Sequence, residues 1–444
     1  MKNKKIFIIG GLVIVVLMII TVVLLLVTKE DKTLTDDGVT NVGTGDLVYW
    51  GLWEPDSVMQ PIIDEYETLH PGVNILYSQQ SFTNYESKLY TRLQQASSSS
   101  EPAPDIFRIH NTWLPKYYSY LEPLPVNVMT REEYASTFYP TALSDFTAKN
   151  GSIYAIPWEI DGLVVFYNKQ LLADKGYQEP PKDWDSFVEA AQKLTVKNSA
   201  QQITQSGLAM GTSKNINHSA EILSFLFMAE GIDMIDETNT KVNLNNTKAE
   251  GVLDNYVSFA NGETATWSST LRNDLEMFYS GKLAMMIAPS WRTFDIIKAA
   301  PTIEFDTAPL PQLEANEEEI YYSTYWGDTV SSTCSNKVAA WDFINFLSQK
   351  ETQMKLYSNS SNIRAFGEPY SLVELNGEML GKTYVSAIAE MAPYMQSWPM
   401  GDEPFVKATL NDAITEANET EKETSSILSN AEDIINEQLA KSNK

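Results

Sequence analysis

The chain has 444 residues, more than one simple core usually holds, so two lobes or domains are expected. A formal net charge of −26 argues against nucleic acid or polyphosphate as a partner, because affinity for both depends on Lys and Arg. A single cysteine, Cys334, excludes an internal disulfide and a thiolate zinc site. The three widely separated histidines show no metal-ligand spacing, so no cofactor is expected.

An apolar run at residues 6–27 follows three lysines at the N-terminus. As a helix it is long enough to span the ~30 Å hydrocarbon core of a bilayer. The positive-inside rule then places residues 1–5 in the cytoplasm and the rest of the chain outside the cell. A cleaved signal peptide is the alternative, although the run is longer than a usual h-region and no small-x-small cleavage site follows it. Residues 28–45, rich in Asp, Thr and Gly, are expected to form a flexible linker.

Beyond the linker the sequence alternates between strand and helix patterns. Strands are predicted at 46–50, 73–77 and 105–109, and helices at 58–69 and from 83 onward. Asp56 or Ser57 is expected to cap the first helix, and Thr83 with Glu86 is typical of a capping box at the second. This alternation predicts a parallel sheet with crossover helices.

Ligands bind beyond the carboxyl ends of the strands in such sheets. Trp53 and Glu54 follow the first predicted strand, and Trp113 follows the third. An aromatic ring can stack on the apolar face of a sugar, and a carboxylate accepts charge-assisted hydrogen bonds from sugar hydroxyls. We therefore take these three residues as candidate ligand contacts, with packing beneath the following helix as the alternative for Trp113.

The stretch 151–184 has the pattern of a passage between two cores. Its apolar run 163–167 predicts a strand buried on both faces. Trp158, Glu159 and Asp161 come just before that strand, where side chains would face a solvent-filled gap. The hypothesis is a hinge that carries part of a ligand site; ordinary polar residues at the start of a strand are the alternative.

The second half adds a buried strand at 283–288, which ends a short distance before Trp291, and helices at 338–347, 407–417 and 427–439. Several motifs, taken in order, resemble the extracellular solute-binding proteins of family 1, the maltose-binding-protein-like receptors of ATP-driven sugar importers. They are His70-Pro-Gly-Val-Asn-Ile, Pro104-Asp-Ile-Phe, Gly151-x-x-Tyr-x-x-Pro, Phe166-Tyr-Asn-Lys, Pro181-x-x-Trp and Ser280-Gly-Lys-Leu-Ala-Met.

The resemblance implies an α/β fold of the type II periplasmic-binding-protein class, with two lobes joined by hinge strands. The apolar run at 6–27 adds one N-terminal transmembrane helix ahead of it. Lobe 1 would comprise 46–156 plus 310–355, and lobe 2 would comprise 157–309 plus 356–444. It further implies a monomeric extracellular receptor, not an enzyme, that captures a carbohydrate and passes it to an ABC transporter permease. An oligosaccharide would suit the ten Trp and twenty-two Tyr residues.

By the same resemblance, Trp291 matches a stacking position of the family. Trp326 lies where the family usually has glycines at the return crossing, and Trp398 is a candidate platform near the C-terminus. Three alternatives stay open. The same fold could bind a polyamine, peptide or metal complex, serve as a sensor or adhesion ectodomain, or hydrolyse a glycan with Glu159 and Asp161 as paired acids.

Overall fold

A computed structural model describes residues 42–96, 103–236, 240–313 and 319–442. The predicted cytoplasmic tail, the membrane helix at 6–27 and most of the predicted linker lie outside these residues. Within the described ranges, no helix combines the length and the apolar character that a membrane crossing requires.

The first sheet has five strands in the spatial order β2-β1-β3-β11-β4. These are β1 (Gly45–Gly51), β2 (Val73–Gln79), β3 (Ile106–His110), β4 (Leu121–Glu122) and β11 (Trp326–Ser331). β1 is parallel to both β2 and β3, whereas β11 runs antiparallel to β3 and β4. The three predicted strands are confirmed to within two residues at each end, and their carboxyl ends share one edge of the sheet.

The second sheet has the order β6-β7-β8-β5-β9. Its strands are β5 (Leu163–Asn168), β6 (Val196–Lys197), β7 (Ile203–Leu208), β8 (Leu283–Pro289) and β9 (Phe305–Ala308). β5 and β8 are buried along their whole lengths, as their unbroken apolar sequences predict. β5 pairs antiparallel with β8 and β9, while β7 is parallel to β8.

Sixteen α-helices lie within the described ranges, and most of them surround the two sheets. They are α1 (Asp56–Leu69), α2 (Tyr85–Gln94), α3 (Leu114–Tyr117), α4 (Arg131–Thr137), α5 (Pro140–Phe146), α6 (Lys169–Ala173), α7 (Trp184–Leu194), α8 (Ser219–Ala229), α9 (Thr247–Ser258), α10 (Asp274–Tyr279), α11 (Arg292–Ala299), α12 (Lys337–Leu347), α13 (Lys350–Ser361), α14 (Ser386–Met391), α15 (Glu403–Glu419) and α16 (Thr424–Ser442). α1 buries one face, including Ile62, Ile63 and Tyr66, against β2 and α13. Each such side chain contributes about 1.5–3 kcal/mol when removed from water.

Both predicted helix caps are wrong. The first helix is preceded by Pro55 at the N-cap position, and Asp56 is the first helical residue, where its carboxylate faces the positive end of the helix dipole. Thr83 lies inside the 3-10 turn Phe82–Asn84, so α2 begins only at Tyr85, without a side-chain cap. The turn takes up the residue that a capping box would have needed at the N-cap.

Three segments cross between the sheets side by side. The first crossing contains Ile156 and Gly162, and the second leads through Ser323 into β11. Ile156 pairs with Asp328 and Gly162 pairs with Ser323, so these two crossings run antiparallel. Beside them, β10 (Tyr321–Tyr322) pairs in parallel with β12 (Met395–Gln396), which belongs to the third crossing. The lobe boundaries at 156, 309 and 355 stay predictions, and α13 runs across the last of them.

Candidate functional site

Six aromatic side chains meet at the carboxyl ends of the first sheet. Trp326, opposite His110 in the β3–β11 register, lies at their centre. The other rings surround it at centroid distances of 5.0–6.3 Å and interplanar angles of 70–85°, so all contacts are edge-to-face. They belong to Trp53, Phe82, Tyr85, His110 and Trp113. This strand-end cluster brings together three of the predicted site residues: Trp53, Trp113 and Trp326.

Trp53 is held in a backbone conformation that non-glycine residues rarely adopt, with φ of 64°. The Glu54 amide donates to the Leu52 carbonyl at 2.7 Å and closes a three-residue turn around it. The Gln79 side chain donates to the Trp53 carbonyl at 3.0 Å, which fixes the turn to the end of β2. Such strain costs of the order of 1–3 kcal/mol and is concentrated at functional sites.

The ten tryptophans divide sharply by exposure. Trp53 and Trp291 are each 40% exposed, and the other eight are at most 8% exposed. The exposed pair was predicted from sequence to contact ligand. The indoles of Trp113, Trp158, Trp326 and Trp398 are buried, so they present little ring face to a ligand in this structure.

Trp291 follows β8 in the second sheet and has two neighbours that fix its ring. The Arg292 guanidinium lies 4.1 Å above the ring centroid, and the Arg292 Nε donates to His218 Nε2 at 3.2 Å.

Asp161 on the first crossing accepts hydrogen bonds from the Ser290 and Gly162 amides at 3.3 and 2.7 Å. Burial raises the pKa of Asp161 to about 7, although these hydrogen bonds oppose the rise. Asp161 therefore positions the loop that carries Trp291.

A chain of charged side chains connects His218, beside Trp291, with the strand-end cluster. His218 Nδ1 lies 3.1 Å from Glu221 Oε1, which pairs with Lys407 Nζ at 2.5 Å. Lys407 also lies 3.3 Å from Glu403 Oε1, and the Trp113 Nε1 donates to Glu403 Oε2 at 2.8 Å. We call these five residues the polar chain. It ties α8 and α15 to the loop after β3.

The polar chain keeps its central pair ionised although it is largely buried. Burial favours the neutral form of Glu221, but the Lys407 ammonium and His218 outweigh it and lower the pKa of Glu221. Burial by itself would lower the pKa of Lys407, but the carboxylates of Glu221 and Glu403 outweigh it and raise that pKa. His110 lies beside the polar chain. Burial lowers the pKa of His110, and the Glu403 carboxylate opposes this change. Glu221 and Lys407 are not among the site residues predicted from the sequence. A glutamate in the otherwise apolar α8 and the Glu403–Lys407 spacing on α15 were the available signals.

Trp158 and Glu159 do not face an open gap. Both are buried with Arg108, whose guanidinium lies 4.5 Å from the Trp158 ring centroid and 2.7 Å from Glu159 Oε1. Burial raises the pKa of Glu159 well above its ordinary value, with Arg108 opposing. Ligand contact by Trp158 or Glu159 stays a prediction, and the expectation of exposed side chains at this point is wrong.

Glu54 is also buried, next to the exposed ring of Trp53. Its Oε1 lies 3.0 Å from Arg364 Nη2, which pairs more closely with Glu368 at 2.7 Å. Burial raises the pKa of Glu54 to about 8, Glu368 adds to the rise, and Arg364 opposes it. Arg364 also lies 5.0 Å from the ring centroid of Phe294 on α11. This arginine therefore contacts the loop after β1 and the helix after Trp291 at the same time.

Trp398 lies apart from the other candidates. It lines a cavity of about 1330 Å³ between α3 and α5 on one side and the segment that follows α8 on the other. Beside it, Asp145 already accepts hydrogen bonds from Ser397 at 2.6 Å and from Tyr325 at 2.8 Å. Over the part of the chain that the structure covers, no three His, Cys, Asp or Glu side chains are grouped as a metal ion would require.

The family model for bacterial extracellular solute-binding proteins matches residues 51–354. The diacetylchitobiose binding protein DasA of Streptomyces coelicolor is 26% identical over 271 residues, which cover 59% of this chain and 60% of that protein.

Two solved structures share the fold. One is an ABC substrate-binding protein from Listeria monocytogenes in complex with cycloalternan, with a TM-score of 0.69, 20% identity and coverage of 90% of this chain and 100% of that one. The other is the cyclic alpha-maltosyl-1,6-maltose binding protein from Arthrobacter globiformis, with a TM-score of 0.72 and 18% identity. The match covers 90% of this chain and 100% of that one. They confirm the two-lobed α/β fold.

Proposed function

The chain belongs to the bacterial extracellular solute-binding protein family, and we propose that it captures a carbohydrate, with an oligosaccharide as the expected ligand, between its two lobes. In this proposal the lobes close about the three crossing segments. The bound sugar then passes unchanged to the permease of an ABC importer. The predicted helix at 6–27 tethers the receptor to the cell membrane, with the binding domain outside.

The observation that carries the proposal is the exposure of Trp53 and Trp291. One follows a strand of the first sheet and the other a strand of the second, and they are the two tryptophans with substantial solvent exposure. One of them, Trp53, is held in a strained turn, and such strain is concentrated at functional sites. Stacking on the C–H faces of sugar rings is a contact that suits both indoles.

The relatives support the same ligand class. The three proteins named above are described with diacetylchitobiose, cycloalternan and cyclic maltosyl-maltose, and all three ligands are carbohydrates. Their low identity to this chain leaves the particular sugar open, since ligand choice depends on a few side chains and the fold is shared by receptors for different ligands.

The charge arrangement supports a neutral ligand over a polyamine. A polyamine site needs carboxylates that are free to pair with ammonium groups. Glu159 is paired with Arg108, Glu54 lies against Arg364, and Asp161 accepts two backbone hydrogen bonds. These contacts also argue against a hydrolase. The paired acids of a hydrolase must reach the glycosidic oxygen and either a water molecule or the anomeric carbon, whereas these carboxylates are held by protein groups.

A binding screen tests the proposal. The full chain in detergent is titrated calorimetrically with oligosaccharides, among them diacetylchitobiose and maltotetraose, and with spermidine. We expect a saccharide to bind and to be recovered intact. Trp53→Ala and Trp291→Ala should each weaken binding about tenfold, since an aromatic contact contributes on the order of 1 kcal/mol. Leu69→Ala, which truncates an exposed apolar side chain at the far end of α1, is the control. Binding of spermidine alone, or cleavage of the sugar, would overturn the proposal.

Delivery and tethering need a second experiment in cells. Uptake of the radiolabelled saccharide should be lost when the chain is deleted and restored by the full chain. A version without residues 6–27 should leave the membrane fraction while keeping its affinity for the sugar. Recovery of the full chain in the soluble fraction would exclude the proposed anchor.

A further inference from the structure

We propose that Trp326 is a specificity-determining residue that limits the size of the ligand at the first sheet. Its indole fills the space beneath Trp53 and Phe82, so a bound sugar stacks on the outer rings and cannot enter between the strand ends. The inference rests on the proposed function, because it assumes that a saccharide occupies this edge of the sheet.

The position of Trp326 follows from the register of β11. It is the first residue of that strand and lies opposite His110, the last residue of β3. The next residue, Gly327, turns to the opposite face, where an added Cβ would come within 2.7 Å of Phe146 and 3.0 Å of Ala155. Because side chains alternate along a strand, Trp326 occupies the other face, at the edge where α/β sheets bind their ligands.

The cluster has an outer and an inner layer. Trp53 and Phe82 form the outer layer, with exposures of 40% and 55% and ring centroids 5.0 Å apart. Trp326 is 8% exposed, and five rings meet it in edge-to-face contacts. Little of its indole is therefore open to solvent, and it supports the outer rings from below.

Removal of the indole has a definite physical consequence. A void at this point would be walled by the aromatic rings of Tyr85, Trp113 and His110, with the outer pair above it. A void lined mainly by ring faces and edges can bind a small aromatic molecule. The void would also let one further sugar ring enter beneath the outer pair. The length of the preferred saccharide should therefore increase when Trp326 is made smaller.

The test uses full-chain Trp326→Ala and the milder Trp326→Phe, which keeps an aromatic ring if the alanine variant fails to fold. Trp341→Phe, which truncates a fully buried indole on α12, is the matched control. Indole alone should raise the melting temperature of Trp326→Ala by several degrees and leave the wild type, Trp326→Phe and the control unchanged.

A homologous series of oligosaccharides, from disaccharide to hexasaccharide, then gives the length preference of each protein by calorimetry. We expect the affinity ratio of longer to shorter saccharides to rise about tenfold in a Trp326 variant and to stay constant in Trp341→Phe. A folded Trp326 variant that binds saccharides with the wild-type length preference, or a folded Trp326→Ala that gains no affinity for indole, overturns the inference. Absence of saccharide binding by the wild type itself would instead contradict the proposed function.

Discussion

The indole of Trp158 donates a hydrogen bond of 2.7 Å from Nε1 to Asp328 Oδ2, and both side chains are buried. Trp158 lies on the first crossing between the sheets, and Asp328 lies on β11, just after the second. The backbone of the first crossing also pairs with β11, at Ile156 and Asp328. Tyr49 on β1 also donates to Asp328, at 3.2 Å. Burial raises the pKa of Asp328 to about 6, with Arg108 and these donors opposing.

Trp158→Phe removes this hydrogen bond and keeps an aromatic ring beneath Arg108. Asp328 then loses a donor in a buried site, so we expect a loss of about 1–3 kcal/mol in the free energy of unfolding. Urea denaturation measures it. Trp184→Phe is the control, since its indole nitrogen has no hydrogen-bond partner among the residues that the structure describes, and it should cost less. An equal loss in both variants would show that ring volume, and not the hydrogen bond, is responsible.

Glu54→Gln tests the buried carboxyl beside Trp53. The pKa of Glu54 in the folded protein, about 8, lies above its ordinary value of 4.5. Its contribution to stability is therefore complete below pH 4.5 and is lost as the pH rises through about 8. Relative to Glu54→Gln, the wild type should lose up to about 1.4 kcal/mol per pH unit across that range.

Urea unfolding of both proteins between about pH 5 and pH 9 measures this difference. Glu189→Gln is the control, because the Glu189 carboxylate is 70% exposed in its pair with Lys193. Parallel stability curves for Glu54→Gln and the wild type would mean that Glu54 is ionised in the folded protein.

Lys407→Met tests the polar chain. It leaves the carboxylates of Glu221 and Glu403 without their cation in a largely buried position. The expected loss is about 3–5 kcal/mol at neutral pH, whereas adding Glu221→Gln should recover part of it. Lys193→Met, which removes a 60% exposed ammonium from an i,i+4 pair, should leave stability nearly unchanged. Additive losses in the double variant would show that the two side chains are not coupled.

Gly162→Ala tests the close approach of the crossings. An added Cβ would lie 2.4 Å from the Tyr322 carbonyl oxygen and 2.7 Å from Met395 Cε, and the backbone atom cannot move aside without separating the segments. We expect a loss of about 1–3 kcal/mol in thermal or urea unfolding. Gly251→Ala on α9, where no atom lies within 4 Å, should instead gain about 0.5–1 kcal/mol through helix propensity. A neutral Gly162→Ala would mean that the crossings are less tightly packed.

Local patterns in the sequence were sufficient for five of the twelve strands and five of the sixteen α-helices in the described ranges. The unbroken apolar run 163–167 became β5, and the three opening strands were found at their predicted positions. The cap at Thr83 was wrong because a 3-10 turn and a helix begin with similar residues, and only the following backbone separates them.

By itself the sequence determined the fold class and the family, because periodicity and short motifs are encoded within a few residues of each position. Only the tertiary structure decided which charged and aromatic side chains become buried. Glu159 pairs with Arg108, and Glu221 pairs with Lys407, although the partners are far apart in the sequence. Desolvation and pairing depend on what the fold brings alongside, and no local pattern records that.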